Sequence, residues 1–190
     1  MLEETGESVY HSALKRIEKT EMAWGKSHPR LVNDLRNLSD LFFVFGEYEK
    51  AKPLYWRILD IQQNGKKGIL NPETVDTLLS LGEIYEAESD FTKAEQLLRA
   101  ALGILTKNEI FGSEVEARIL LKLYGILKLS NQQEKILEIE NKLYVFLNNY
   151  AANVEAKATP SSTPVNPTVS TTAATVEQEK PRLISIYSAA

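Results

Sequence analysis

The 190-residue sequence has no cysteine, only two histidines and two methionines, and no long hydrophobic run. Without a thiol there is no disulfide, no thiolate metal ligand and no cysteine nucleophile. His11 has no second histidine at a ligand spacing, so no metal is expected there. No apolar stretch approaches the roughly 20 residues that span a bilayer, so membrane insertion is not expected. Neither charge is in excess: 22 Lys and Arg stand against 26 Asp and Glu, a formal net charge of −4. Nucleic-acid binding needs a cationic surplus on one face, so nucleic acid is not an expected partner. The opening Met1-Leu2-Glu3-Glu4-Thr5-Gly6-Glu7 is acidic and lacks the apolar core of a secretory signal, which makes the cytoplasm the expected compartment. Phosphate loops, nucleophile elbows and zinc motifs are missing as well. No enzymatic activity and no cofactor are expected.

What is present is a duplication. His28-Pro29-Arg30-Leu31-Val32 is answered by Asn71-Pro72-Glu73-Thr74-Val75, Phe42 by Tyr85, and Ala51 by Ala94, always 43 residues apart. A constant offset of this length marks stacked supersecondary units. Such stacks usually build surfaces rather than catalytic pockets. Apolar residues recur at helical spacing from about residue 7 to 149. They predict helices over 8–24, 29–45, 48–63, 72–88, 91–106, 114–129 and 132–148. Pro29 and Pro72 mark helix starts, Gly46 and Ser89-Asp90 mark tight turns, and Ser113 with Glu116 has the form of a capping box. In the first unit Leu35, Leu38, Leu41, Phe42 and Phe45 form one apolar stripe, answered by Tyr48, Ala51, Leu54, Tyr55 and Ile58. The fold class is therefore all-α, a solenoid of about seven helices over residues 7–150. Residues 151–190, rich in Thr, Ser, Pro and Ala, bury too little surface to offset the entropy of ordering and are expected to be disordered.

The residue types at these positions resemble the tetratricopeptide repeat (TPR). Its large apolar position is Leu38 and Leu81, its small position Ser39 and Gly82, and its first-helix aromatic Phe42 and Tyr85. Its turn glycine is Gly46, replaced by Ser89; its second-helix aromatic is Tyr48 and Phe91, and its second small position Ala51 and Ala94. The longer period and the His-Pro or Asn-Pro opening resemble the 42-residue variant of kinesin light chains and many bacterial repeat proteins. The match is strong over 28–105. It implies units at about 28–63, 71–106 and 113–148 behind a lone helix at 8–24. The third unit is degenerate: Tyr124 stands where a small residue is expected, Gln133 replaces the turn aromatic, and Gly125 comes one position late, which leaves the register open.

The resemblance also implies a binding groove lined by the first helix of each pair. Its side chains would be Asn33, Arg36, Asp40, Phe43 and Val44, then Asp76, Leu79, Glu83, Glu86 and Ala87. The Lys/Asn/Arg set with which chaperone-binding members hold a C-terminal carboxylate is missing. Phe43 and Leu79 offer apolar contact and the carboxylates favour cations. The expected ligand is thus a protein or peptide segment with basic and apolar residues, and the expected role is a non-catalytic scaffold or adaptor. The alternative is a regulatory or self-associating protein working through its end. The last helix carries Ile136, Leu137, Ile139, Leu143, Tyr144, Phe146, Leu147 and Tyr150, more than one buried face requires. A partner, a homodimer through that helix, or the chain's own Leu183-Ile184 and Ile186-Tyr187 would cover it.

Other features read as structural. His28 sits beside a helix-starting proline. Glu83, Glu86, Glu88 and Asp90 form a solvated face rather than a catalytic carboxylate pair. Asn37-Leu38-Ser39 has the glycosylation sequence but falls inside a packed helix, and Lys66-Lys67 reads as a solvated loop.

Overall fold

A computed structural model describes residues 2–65, 68 and 71–158, with side-chain surroundings described within 10–151. Seven helices follow one another: α1 (Leu2–Trp24), α2 (Leu31–Val44), α3 (Tyr48–Gln63), α4 (Thr74–Ala87), α5 (Phe91–Lys107), α6 (Glu114–Leu129) and α7 (Gln133–Ala158). No strand occurs among the described residues. Helix α2 packs on α3, α4 on α5 and α6 on α7; α1 packs on α2, and α3–α4 and α5–α6 contacts join the pairs into a stack.

Both chain-terminal helices are longer than the sequence predicts. Helix α1 starts at Leu2 rather than residue 8. Helix α7 runs ten residues past the expected end, through Ala151, Ala152, Ala156 and Ala158. Alanine is both the best helix former and a common low-complexity residue, so composition alone misplaced this boundary. The remainder of the expected disordered segment, residues 159–190, and Lys66-Lys67 lie outside the described residues.

The prolines sit one turn ahead of the helices proper. The N–H groups of Leu31 and Val32 donate to the carbonyls of His28 and Pro29 at 3.0 and 3.1 Å. Those of Thr74 and Val75 donate to Asn71 and Pro72 at the same two distances. His28 Nδ1 accepts from the Arg30 N–H at 3.2 Å, and Asn71 Oδ1 accepts from the Glu73 N–H at 3.1 Å. His28 and Asn71 therefore do one job in two units: a side-chain acceptor takes up a backbone donor that the helix leaves unpaired.

The turns within pairs also repeat. Gly46, Ser89 and Asn131 have φ of 73°, 63° and 53°. The N–H after each donates five residues back, Glu47 to Phe42 and Asp90 to Tyr85 at 2.8 Å and Gln132 to Leu127 at 3.1 Å, which is the Schellman ending of a helix. Asn131 thus carries the left-handed position, and the third unit follows the second at a spacing of 42. Ser113 Oγ accepts from the Glu116 N–H at 3.2 Å, and Glu116 Oε2 reaches back to the Gly112 N–H at 2.7 Å, so the capping box closes one residue upstream of its usual partner.

The core runs along the whole stack. Helix α2 buries Leu31, Leu35 and Leu38 and α3 buries Ala51, Tyr55 and Ile58; α4 and α5 bury Leu78, Leu81, Ile84, Ala94, Leu98 and Ala101. Phe45, expected in the first stripe, is exposed: it is the C-cap of α2, where the chain turns away, and it meets Tyr10 edge-on at 6.1 Å. The small positions are small for steric reasons. A methyl group on Gly82 would lie 3.0 Å from Cγ of the buried Leu98. Ser39 is buried with its hydroxyl donating to the Leu35 carbonyl at 2.7 Å. In the third unit Tyr124 and Ile136 take the places of Gly82 and Ala94, and α6 and α7 pack less extensively than the earlier pairs.

Candidate functional site

The first helices of the three pairs line one side of the stack. A depression of about 450 Å³ opens there, between Val32, Asn33 and Arg36 of α2, Asp76, Leu79 and Ser80 of α4, and Arg118 of α6, with Gln62 and Glu73 completing its lining. It brings together Asn33, Arg36, Asp76 and Leu79 of the predicted groove set. Asp40, Phe43, Glu83 and Glu86 do not line it.

The wall of this depression is held by a polar network that no periodicity announces. Arg36 donates to Thr77 Oγ1 at 2.7 Å, Thr77 Oγ1 donates to Gln62 Oε1 at 3.0 Å, and Gln62 Nε2 donates to the Glu73 carbonyl at 2.9 Å. Thr77 and Gln62 are buried. Satisfied buried polar groups fix their neighbours in one arrangement, so α2, α3 and α4 present the groove pre-formed. Asn33 and Asp76 have no hydrogen-bond or ion-pair partner among the described residues, and Asp76 is exposed.

Two sequence expectations change. Leu79 does not offer apolar contact to a ligand: it is only 1 % exposed. Helix α6 packs on α4 as well as on α5, and the position is core. The middle of the groove is also not simply acidic. Arg118 approaches Glu83 at 3.4 Å, and Lys122 lies 2.9 Å from Glu86 and 4.0 Å from Glu83. Arg118 stands 42 residues after Asp76 and Lys122 42 after Ser80, so extending the groove pattern into the third unit would have found both cations. Of the remaining predicted residues, Asp40 accepts a hydrogen bond from the Tyr55 hydroxyl, and Phe43 is half-buried with its ring 5.8 Å from Tyr48. Burial, reinforced by the Asp40 carboxylate, holds the Tyr55 phenol well above its ordinary pKa, so it stays a hydrogen-bond donor.

Matching structures share this stacking of helix pairs. BtubC (BKLC) from P. vanneervenii superposes with a TM-score of 0.61 at 20 % identity, covering 77 % of this chain and 57 % of BtubC. A Podosopora anserina protein described as a kinesin light chain with nearly identical TPR-like repeats gives 0.64 at 15 % identity, covering 86 % of this chain and 73 % of that one. A single-substitution variant of it gives the same values. The fold is that of a tetratricopeptide-type repeat protein. The TPR-type chain spans a little over half the length of BtubC. No protein-family model matches it, and no curated protein does. Among its described residues no helix is long and apolar enough to cross a membrane.

Proposed function

We propose that this TPR-type chain is a non-catalytic adaptor that binds a segment of a partner protein along the α2–α4–α6 side. The observation that carries this reading is the polar depression itself, where Asn33 and Asp76 stand uncommitted beside Arg36 and the 53 % exposed side chain of Arg118. A pre-formed cleft with a few convergent polar groups is how rigid binding sites are built. Its two signs of charge suit a segment carrying a basic residue towards Asp76 and an acidic residue towards Arg118. That refines the expectation of a basic and apolar ligand.

The test is affinity capture with quantitative mass spectrometry, comparing the unaltered chain with Asp76→Lys. Asp76 has no partner to lose among the described residues, whereas reversing Glu83 and Glu86 would also break their pairs to Arg118 and Lys122. Recovery of the specific partner should fall at least about tenfold, the order expected when a like charge replaces a complementary one. Unchanged recovery would sink the groove reading.

A second reading rests on a different observation. Leu121 occupies the register position of Leu79, 42 residues later, yet is 45 % exposed, and Leu129 and Leu137 are exposed too. Self-association through this end predicts a mass that rises with concentration in light scattering.

A further inference from the structure

A second depression, of about 440 Å³, lies on the other side of the third unit between α5, the loop before α6, and α7. Leu102, Phe111, Val145 and Phe146 form its apolar surface, with Glu116, Glu138 and Lys142 beside them, Glu138 being paired with Lys142 and Arg99. Phe111 is 60 % and Val145 57 % exposed, so two large apolar side chains face solvent in one concave place. Lone exposed hydrophobics are ordinary, but a concave apolar cluster with charged neighbours marks an interaction site.

We propose that the occupant is the chain's own segment 180–187, Lys180-Pro181-Arg182-Leu183-Ile184-Ser185-Ile186-Tyr187. Three observations point to it. Residues 159–182 contain no Leu, Ile, Met, Phe, Tyr or Trp, and then four such side chains fall within the five residues from Leu183 to Tyr187. Lys180 and Arg182 precede them, opposite in sign to the surplus charge of the lining, where Glu116 and Glu138 outnumber Lys142. The intervening chain also reaches. Along α7 the distance from Ala158 back to Phe146 is about 18 Å at 1.5 Å per residue, and for the 24 residues in between the random-coil relation gives a root-mean-square span of about 27 Å. A tether whose span matches the gap gives an effective concentration of roughly millimolar. A second copy at micromolar concentration cannot compete with that, which is why the chain itself is the favoured occupant. This inference uses none of the residues of the α2–α4–α6 groove and stands or falls without it.

The full chain lends itself to a direct test because it has no native cysteine. Ser188→Cys carries a nitroxide, and amide resonances are compared with the label oxidised and reduced. Docking predicts that Phe111, Gly112, Val145 and Phe146 lose more than half their intensity while Asn33 and Asp76 keep theirs. Leu183→Ser combined with Ile186→Ser should restore the lost intensity without moving resonances of α2 to α4. Absence of selective loss overturns the proposal, as does loss centred on Asn33 and Asp76, which would put the tail in the other groove. Mixing nitroxide-labelled chains with separate isotope-labelled chains completes the test: equal loss in that mixture would assign the occupant to a second copy instead.

Discussion

At the scale of single residues, the two helix-entry motifs show how different side chains satisfy one backbone requirement. His28 and Asn71 each accept a hydrogen bond from the N–H two residues on, at 3.2 and 3.1 Å. If that acceptor is the reason for the histidine, asparagine should replace it without loss. His28→Asn is expected to leave the urea midpoint unchanged or slightly raised. His28→Ala should cost about 0.5–2 kcal/mol, the range for removing a helix-start acceptor. Chemical denaturation of both variants decides this; equal losses would mean that the ring's 5.1 Å contact with Trp24, and not its nitrogen, is what matters. The same scale shows what was legible in the sequence. Gly82 and Ala94 announced their close packing by being small where neighbours are large. Leu79 looked like groove surface because the pattern within its own helix does not report how far the neighbouring helices enclose it, and it is buried. Thr77 and Gln62 gave no signal, since a buried polar pair looks like an interruption of an apolar stripe until its partners are known.

At the scale of helices, the junctions between pairs are fastened by charge. Lys52 of α3 meets Glu88, just past α4, at 2.8 Å, and Arg99 of α5 meets Glu138 of α7 at 3.1 Å. The most enclosed of these groups is Glu95 of α5, which is buried and accepts from Arg99 and from Lys135 of α7, both at 2.9 Å. Burial opposes its ionisation, but the hydrogen bonds from Lys135 and Arg99 outweigh that penalty and hold the carboxyl below its ordinary value. Glu138 is shifted the same way, first by its hydrogen bond from Lys142. A carboxyl with a lowered folded pKa contributes stability above its unfolded value of 4.5, and that contribution is lost as the pH falls through the lower folded value. Glu95→Gln should therefore be less stable than the unaltered chain at pH 7, by about 1–3 kcal/mol for a hydrogen-bonded charged partner. The difference should shrink as the pH drops below 4.5. Urea midpoints across that range measure it, and a difference independent of pH would show that Glu95 acts by packing. Sequence reading could not locate this junction, because Glu95 sits in a helix rich in polar residues and its partner Lys135 lies 40 residues further along the chain.

At the scale of the whole molecule, a stack of repeats has stability distributed along it, each unit contributing its own packing and its contacts with the next. The second unit is flanked on both sides, and its Leu79, Leu81, Ile84, Leu98 and Ala101 are all buried. The third combines two weaknesses. Tyr124 and Ile136 stand where the second unit has Gly82 and Ala94, and the pair packs less extensively; its outer side leaves Leu121, Leu129 and Leu137 exposed. The Arg99–Glu138 pair ties α7 back to α5, but a partly exposed pair contributes only about 0–1 kcal/mol, less than an unburied leucine side chain forgoes. The stack should consequently open from its third unit. Native-state hydrogen exchange is expected to show α6 and α7 exchanging through a sub-global opening, while α4 and α5 exchange only with global unfolding. Leu121→Glu and Leu129→Glu, placed on the outer side, should leave both rates nearly unchanged because they remove no buried contact. Ile126→Ala, in the α6 core, should raise α6–α7 exchange by about 2–5 kcal/mol of lost protection and leave α2 and α3 untouched. Uniform protection across all described helices would instead mean that the units fold as one, with the third held by contacts stronger than its sequence and packing provide.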